Sequence, residues 1–486
     1  MTTASPVNLI IKSSTWTGFH FGFVQLLRLT TNIVLAAILF EEAFALMAIT
    51  IAVSQGLNMF SDFGLNQSVI HDKDGSDRLF LDTIWLIQIN RGVCLFFIML
   101  MLAKPVSIFY SEGNPAASDL YSLIIIISFS ALFAGFRSTN YYSAKRNLNI
   151  GRLMCLEMVA TLVGAVSMML LAANTGSVYS LALGSVSGSL IVLIGSHMFL
   201  LGEKNKLRFH YGSAKKIFRF GKWIFLSTCI TFLSLQLDRL LFAKLFSLDQ
   251  VGVYSIALAL AYLGYTLVSS LASTVALPVY SKATRSKGSV LDEFKAVTRC
   301  LLLAGAFITS GLVVCGPTFI ELAYDERYSK AMIYLPILSF GAWLAVIRSN
   351  YINLLLSQGL SKWTSAASAG KVIGLCIVVF PLSNRYGFIG AVISVVFSEA
   401  TMMCVAAVGV VKQRLPVGAI EILFTAYLLL VCFLSYELSN HLFGQLSVSL
   451  FTKLVIQISF VCFAFCIAAY FNIRLLKDYV VNRSEW

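Results

Sequence analysis

Charge is what this chain has least of. Only 12% of its 486 residues are Asp, Glu, Lys or Arg, 58% are hydrophobic, and the mean hydropathy is +0.83. Soluble domains average about 25% charged. A soluble core of this length does not need so little charge, so the composition excludes an ordinary soluble enzyme. Acids are scarcer than bases, 23 against 36, and histidine occurs only 5 times. There is no Walker loop, no His-Glu-x-x-His and no defensible Ser/His/Asp arrangement. Nothing therefore points to hydrolytic chemistry or to ATP-driven transport by this chain alone. The 10 cysteines form no CxxC or Cys/His cluster, and Cys462 with Cys466 on one helix face makes a poor metal site. All ten read as buried small apolar residues, and no cofactor or metal is expected. The alternation of a membrane β-barrel is also missing.

What the chain does have is a series of long apolar runs. A span needs about 20 mainly apolar residues, and backbone groups in lipid must pair within the segment, so each run reads as a helix. Fourteen runs qualify, among them 44–68, 120–144, 363–383 and 387–411. Connections are short, which leaves no room for a separate soluble domain. No cleavable signal peptide is evident. With the N-terminus in the cytoplasm, 24 Lys and Arg fall on that side and five on the other: Lys104, Arg327, Lys330, Arg385 and Lys453. That asymmetry follows the positive-inside rule and predicts both termini to be cytoplasmic. It also accounts for most of the +13 net charge, so nucleic acid is not an expected partner.

The two halves resemble each other at an offset of about 210 residues. Lys104-Pro105 matches Gly316-Pro317, and Arg137-Ser138-Thr139-Asn140-Tyr141 matches Arg348-Ser349-Asn350-Tyr351. Six spans separate the copies, so both keep one orientation. Such parallel repeats hold cargo near the midplane between the halves. The expected fold is an all-α polytopic membrane protein of about 14 transmembrane helices. Two parallel six-helix lobes, 1–202 and 217–411, plus a C-terminal helix pair would surround a central cavity. A basic cytoplasmic linker, 203–216, would lie along the anionic inner leaflet. Residues 412–486 would form the extra hairpin and a cytoplasmic tail.

Several charges sit inside apolar runs: Arg28, Arg91, Arg137, Arg348 and Lys371. Each costs about 2.5 to 3.5 kcal/mol at mid-bilayer on insertion scales, so such residues line polar cavities. Arg28 shares a helix face with Gln25 and Asn32. Gln55, Asn58, Asp62 and Asn66 repeat that spacing in the second run, and Ser227, Thr231, Ser234 and Asp238 in the seventh. Interhelical hydrogen bonding alone is the competing account of these stripes. Arg28 and Arg91 favour a cavity because both fall near mid-membrane. Arg137 and Arg348 lie toward the cytoplasmic ends, where snorkelling competes. The acids Asp62, Glu157, Asp238 beside Arg239, and Glu399 either titrate and couple transport, or neutralise an arginine. Pairing is favoured for Asp62 and Asp238, and Glu399 is the best coupling candidate among the four. A cavity richer in cations than acids predicts an anionic cargo.

Three segments carry a family resemblance. They are Trp16 through Arg28 to Leu35-Ala36-Ala37-Ile38-Leu39, then Phe60-Ser61-Asp62-Phe63-Gly64-Leu65, and Leu237-Asp238-Arg239-Leu240-Leu241 leading to Val251-Gly252-Val253-Tyr254-Ser255. With fourteen spans, the chain resembles the polysaccharide transporter, or Wzx-type flippase, branch of the multidrug/oligosaccharidyl-lipid/polysaccharide exporter superfamily over nearly its whole length. The resemblance implies a transporter with no catalytic step. It would move a polyprenyl-diphosphate-linked oligosaccharide across the bacterial inner membrane by alternating access, for O-antigen, capsule or exopolysaccharide synthesis. Its partners would be lipid-linked oligosaccharide, membrane lipids, and the polysaccharide polymerase and chain-length machinery. Cationic cavity residues on the first spans carry over to Arg28 and Arg91. Arginine forks suit a diphosphate. The alternatives are a drug or cation antiporter of the same superfamily, a flippase for the peptidoglycan lipid precursor, and a membrane polymerase of lipid-linked sugars.

Overall fold

The computed structural model describes residues 6–484, apart from 63, 73, 113, 148–149, 286–289 and 444–448. Phe63 of the Phe60–Leu65 segment therefore lies outside the described residues, as does the side chain of Ser227. The described residues form helices α1 (Pro6–Ile38), α2 (Glu41–Phe60), α3 (Leu65–His71), α4 (Arg78–Ser111), α5 (Leu120–Phe136), α6 (Asn140–Arg146), α7 (Ile150–Thr175) and α8 (Tyr179–Met198). There follow α9 (Tyr211–Leu245), α10 (Leu248–Leu271), α11 (Leu277–Arg285), α12 (Val290–Ala323), α13 (Ala331–Ser357), α14 (Lys362–Val411), α15 (Ala419–Phe443) and α16 (Leu450–Ser484).

Among the described residues, twelve stretches are long and apolar enough to cross a membrane. One of them, α14, runs for 50 residues with Gly387 at φ 60°, ψ −141° inside it. That break divides it where the apolar runs 363–383 and 387–411 meet. With the 35-residue α9, the count fits the expected all-α protein of about fourteen spans. The chain is a multi-pass membrane protein. Side chains such as Ile373, Ile377 and Phe380 stand exposed on α14, as a lipid-facing surface requires. The cysteines correct an expectation. All ten are free, but six are exposed and four half-buried, so none is a core residue. In a bilayer an apolar thiol gains from lipid what it would gain from a protein core, so burial is not required.

The helices group into two compact units, Met1–Gly252 and Val253–Trp486. In the first, α4 packs on α5, α7 on α8, α1 on α7, and α2 on α9. The α4–α5 contact is close. A Cβ on Gly92 would lie 2.6 Å from the Cα of Gly135. In the second unit, Trp343, Tyr351, Leu354 and Leu302 anchor the core.

Two expected spans end early, and both ends have a local cause. Helix α2 stops at Phe60 because Gly64 turns the chain at φ 70°, with its N–H donating to Asp62 Oδ1 at 2.9 Å. Asp62 and Asn66 therefore do not extend a stripe along α2. Helix α5 stops at Phe136, and Arg137 turns extended at ψ 137°. Its terminal carbonyls need partners from outside the helix. Gln88 Nε2 donates to the carbonyls of Ala134 (2.8 Å), Gly135 (3.1 Å) and Arg137 (2.9 Å). Trp85 Nε1 (3.3 Å) and His197 Nε2 (2.9 Å) reach that of Phe136.

Candidate functional site

The two helix breaks face one another across a cavity of about 310 Å³ in the first unit. Asn58, Asp62, Asn66, Arg91, Arg137 and Lys145 line it, with Tyr141 and Tyr142 beneath. Arg91 comes from the middle of α4. Its Nε donates to Ser61 Oγ at 2.9 Å and its Nη2 to the Asn58 carbonyl at 2.7 Å. A cation there complements the negative end of α2. Asp62 makes no ion pair within 4 Å among the described residues. It serves the Gly64 turn and faces Arg91 only through longer-range attraction.

Arg137 lies flat over an aromatic floor. Its guanidinium carbon is 3.8 Å from the Tyr141 ring centre and 5.5 Å from that of Tyr142. Nη2 donates to the Tyr142 hydroxyl at 3.2 Å. The two tyrosines belong to a core cluster with Leu65, Phe80 and Leu153, which holds the floor in place. Lys145 adds a third cation, 4.7 Å from the Tyr141 ring. Burial holds its ammonium below its ordinary pKa; Glu157 opposes that shift and Arg137 adds to it. The Tyr141 hydroxyl donates to Glu157, whose other oxygen lies 3.4 Å from His20 Nε2. Glu157 is thus held behind the floor.

Three cations, Arg91, Arg137 and Lys145, therefore face one carboxylate, Asp62. Arg137 Nε, Asn66 Oδ1 and Gln88 Oε1 are buried with no hydrogen-bond partner. The cavity offers cationic donors for an anion and amide groups for hydroxyls.

The remaining sequence-derived candidates lie elsewhere. Arg28 is exposed on α1, which packs on α7; Gln25 and Asn32 beside it are half-buried. None of the three lines this cavity, and Arg28 and Arg91 are not brought together there. Arg239 donates to Gln236 Oε1 at 3.3 Å, and Gln236 Nε2 to Gln55 Oε1 at 2.7 Å, joining α9 to α2. Asp238 is half-buried on the same helix.

The second unit brings three candidates into one cluster. Glu399 is 1% exposed and lies 2.5 Å from Lys371 Nζ. Arg348 Nε is 3.5 Å from its other oxygen, Oε2, while the Tyr262 hydroxyl donates at 3.1 Å to Oε1, the oxygen beside Lys371. The Arg348 contact counts as attraction between charges only, because neither Arg348 Nε nor Glu399 Oε2 has a hydrogen-bond partner. Tyr265 lies 5.7 Å beneath the Arg348 guanidinium. Among the described residues no group of His, Cys, Asp and Glu could hold a metal.

Tyr141, Tyr142, Lys145, Gln88, Tyr262 and Tyr265 were missed by reasoning from buried charge alone. The signal for the first pair was present: two aromatics follow Arg137 at i+4 and i+5.

The family described as polysaccharide biosynthesis protein matches residues 34–333. The lipopolysaccharide biosynthesis protein WzxC of Escherichia coli (strain K12) is 20% identical over 353 residues, covering 72% of this chain and 70% of that one. A putative O-antigen transporter of Shigella flexneri is 21% identical over 406 residues, 79% of this chain and 94% of that one. Among solved structures, the lipid II flippase MurJ in an inward closed conformation superposes with a TM-score of 0.77 at 14% identity, covering 96% and 100% of the two chains. A multidrug resistance MATE family transporter of the MOP superfamily gives 0.60 at 15% identity, covering 80% and 94%.

Proposed function

The chain belongs to the polysaccharide biosynthesis protein family, and from that premise we propose that it is a flippase for a polyprenyl-diphosphate-linked oligosaccharide. It moves this cargo from the cytoplasmic to the outer leaflet of a bacterial inner membrane, with both termini cytoplasmic, for surface polysaccharide synthesis. No bond is made or broken, so it is a transporter and not an enzyme. The cavity of Arg91, Arg137 and Lys145 carries the reading. A diphosphate cannot cross about 30 Å of hydrocarbon unaided. A guanidinium binds phosphate oxygens through charge-assisted hydrogen bonds, which are roughly twice as strong as neutral ones. The amides suit sugar hydroxyls, and the polyprenyl chain stays in lipid.

Arg28, exposed on α1 beside Gln25 and Asn32, is the proposed second cationic contact along the path. The lobes 1–202 and 217–411, with the hairpin 412–486, are the proposed moving parts of alternating access. Glu399 is the proposed coupling group, because protonating it leaves Lys371 and Arg348 without their shared counter-ion. Polysaccharide polymerase and chain-length machinery are the proposed partners.

The test is translocation of a fluorescent lipid-linked oligosaccharide in proteoliposomes, read as access to an external quencher. Arg91→Ala with Arg137→Ala should slow it at least about tenfold, the loss of two charge-assisted hydrogen bonds. Translocation at the wild-type rate by the double variant would overturn the cavity as cargo site. A peptidoglycan lipid precursor is the second reading, since it presents the same diphosphate and the fold neighbour is named for lipid II. Competition between the two glycans in the same vesicles separates them. A cationic drug as cargo is disfavoured by three cations facing one acid.

A further inference from the structure

The segment between α8 and α9 was expected to lie on the inner leaflet as a basic linker. In the structure, residues 202–210 are strapped to the helices of the first unit. Gly202 opens the strap at φ 155°, where a Cβ would come within 2.1 Å of Asn140 Oδ1. Asn140 Nδ2 donates to the Glu203 carbonyl at 3.3 Å, and Glu203 pairs with Arg78. The Lys206 N–H donates to Asp82, a carboxylate 2% exposed, at 2.9 Å. The His210 N–H donates to Thr83 Oγ1 at 3.1 Å, and His210 Nδ1 accepts from the Ser213 N–H to cap α9.

Asn205 lies at the centre of the strap, half-buried, and is not among the residues that line the cavity of Arg91 and Arg137. Its Oδ1 accepts from Ser138 Oγ at 2.8 Å and from the Thr139 N–H at 3.2 Å. Its Nδ2 donates to Thr139 Oγ1 at 2.5 Å. Ser138 and Thr139 are the residues immediately after Arg137, in the break where α5 has ended. Their carbonyls accept from the first turn of α6, but their N–H groups go to side chains and not to a helix, so the direction of the break depends on what holds Ser138 and Thr139. Asn205 does so from one side, and Ser196 Oγ accepts from the Ser138 N–H at 3.0 Å from the other.

We propose that Asn205 is a positioning residue for the cationic cavity: it locks the Ser138-Thr139 break, and so aims Arg137 at the cargo anion from a segment that leads directly into α9. The proposal rests on the reading of the cavity as the cargo site. Asn205 acts through Arg137 and never touches cargo.

A double-mutant cycle tests it. Full-length protein in nanodiscs is titrated with a fluorescent short-chain polyprenyl diphosphate bearing one hexose. Asn205→Ala should weaken binding about threefold to tenfold, the worth of one or two hydrogen bonds in orienting Arg137. In the Arg137→Ala background the same change should cost less than twofold, because there is no guanidinium left to aim. Thermal midpoints of all four proteins identify any variant that has lost its fold. Should Asn205→Ala prove unstable, Asn205→Ser, which keeps an acceptor for Ser138 or Thr139, should bind between wild type and zero and show the same dependence on Arg137. Equal losses in both backgrounds, or no loss in either, overturn the positioning role while leaving the cavity reading intact. Arg137→Ala binding like wild type overturns both.

Discussion

Arg137 and Arg348 open the same short motif in the two halves, yet their surroundings differ in kind. Arg348 sits inside the continuous helix α13, half-buried, with Glu399 and Lys371 beside it. Arg137 follows the end of α5, stacks on Tyr141, and meets no carboxylate within ion-pair distance. The first copy carries one more residue, Thr139. An extra residue in a helix rotates everything after it by about 100°. The chain breaks there and restarts as α6, so Tyr141 swings under Arg137. In the second copy Asn350 and Tyr351 stay in helical phase and serve the core: Tyr280 donates to Asn350 at 2.6 Å, and Tyr351 to Glu421 at 2.8 Å. The lesson is that one motif supports an arginine stacked on an aromatic ring at a cavity or one neutralised by a buried acid. Helix continuity and a buried acid decide which.

Glu399→Ala breaks the comparison most severely. It strands Lys371 and Arg348 without a counter-ion, and removing one partner of a buried pair costs about 3 to 5 kcal/mol. Detergent-solubilised protein should melt well below wild type. An unchanged midpoint would mean that the cluster is not an ion-paired core. Gly135→Val comes next. Its Cβ would meet Gly92 Cα at 2.8 Å, and such overpacking costs about 1 to 3 kcal/mol. Both stability and binding should fall, since this contact sets the cavity wall.

Arg137→Ala should cost only about 1 kcal/mol of stability, one hydrogen bond and a cation–π contact, while translocation drops sharply. Stability falling as far as with Glu399→Ala would erase the contrast between the two arginines. The smallest stability change is expected for Arg28→Ala, within about 0.5 kcal/mol for an exposed position. Its translocation should nonetheless fall. A wild-type rate would confine the cationic path to the cavity of Arg91, Arg137 and Lys145.

Much of this was legible in order along the chain. Apolar length and scarce charge led to some fourteen spanning helices because lipid leaves the backbone no other way to satisfy its hydrogen bonds. The runs 363–383 and 387–411 even placed the break at Gly387. Arg91 and Arg137 stood out because a charge in an apolar run must be accommodated. Their partners did not stand out. Gln88 reads as one more polar residue in a span until it is seen taking the carbonyls at the end of α5. Lys145 reads as a loop cation until α6 folds it over Tyr141. Asn205 reads as part of a basic linker until the strap closes on Ser138 and Thr139.

By itself, then, the sequence determined the class of solvent, the helical backbone and the excess of cations within the spans, from which the proposal of an anionic cargo starts. These follow from composition and spacing, which act along the chain. Only the tertiary structure decided which cations lie beside an acid and which line a cavity. Arg28, Arg137 and Arg348 look alike in the sequence, each a charge in an apolar run. A guanidinium is neutralised by an acid within a few ångströms, and Glu399 reaches Arg348 from 51 residues away in the chain. No local pattern encodes that distance.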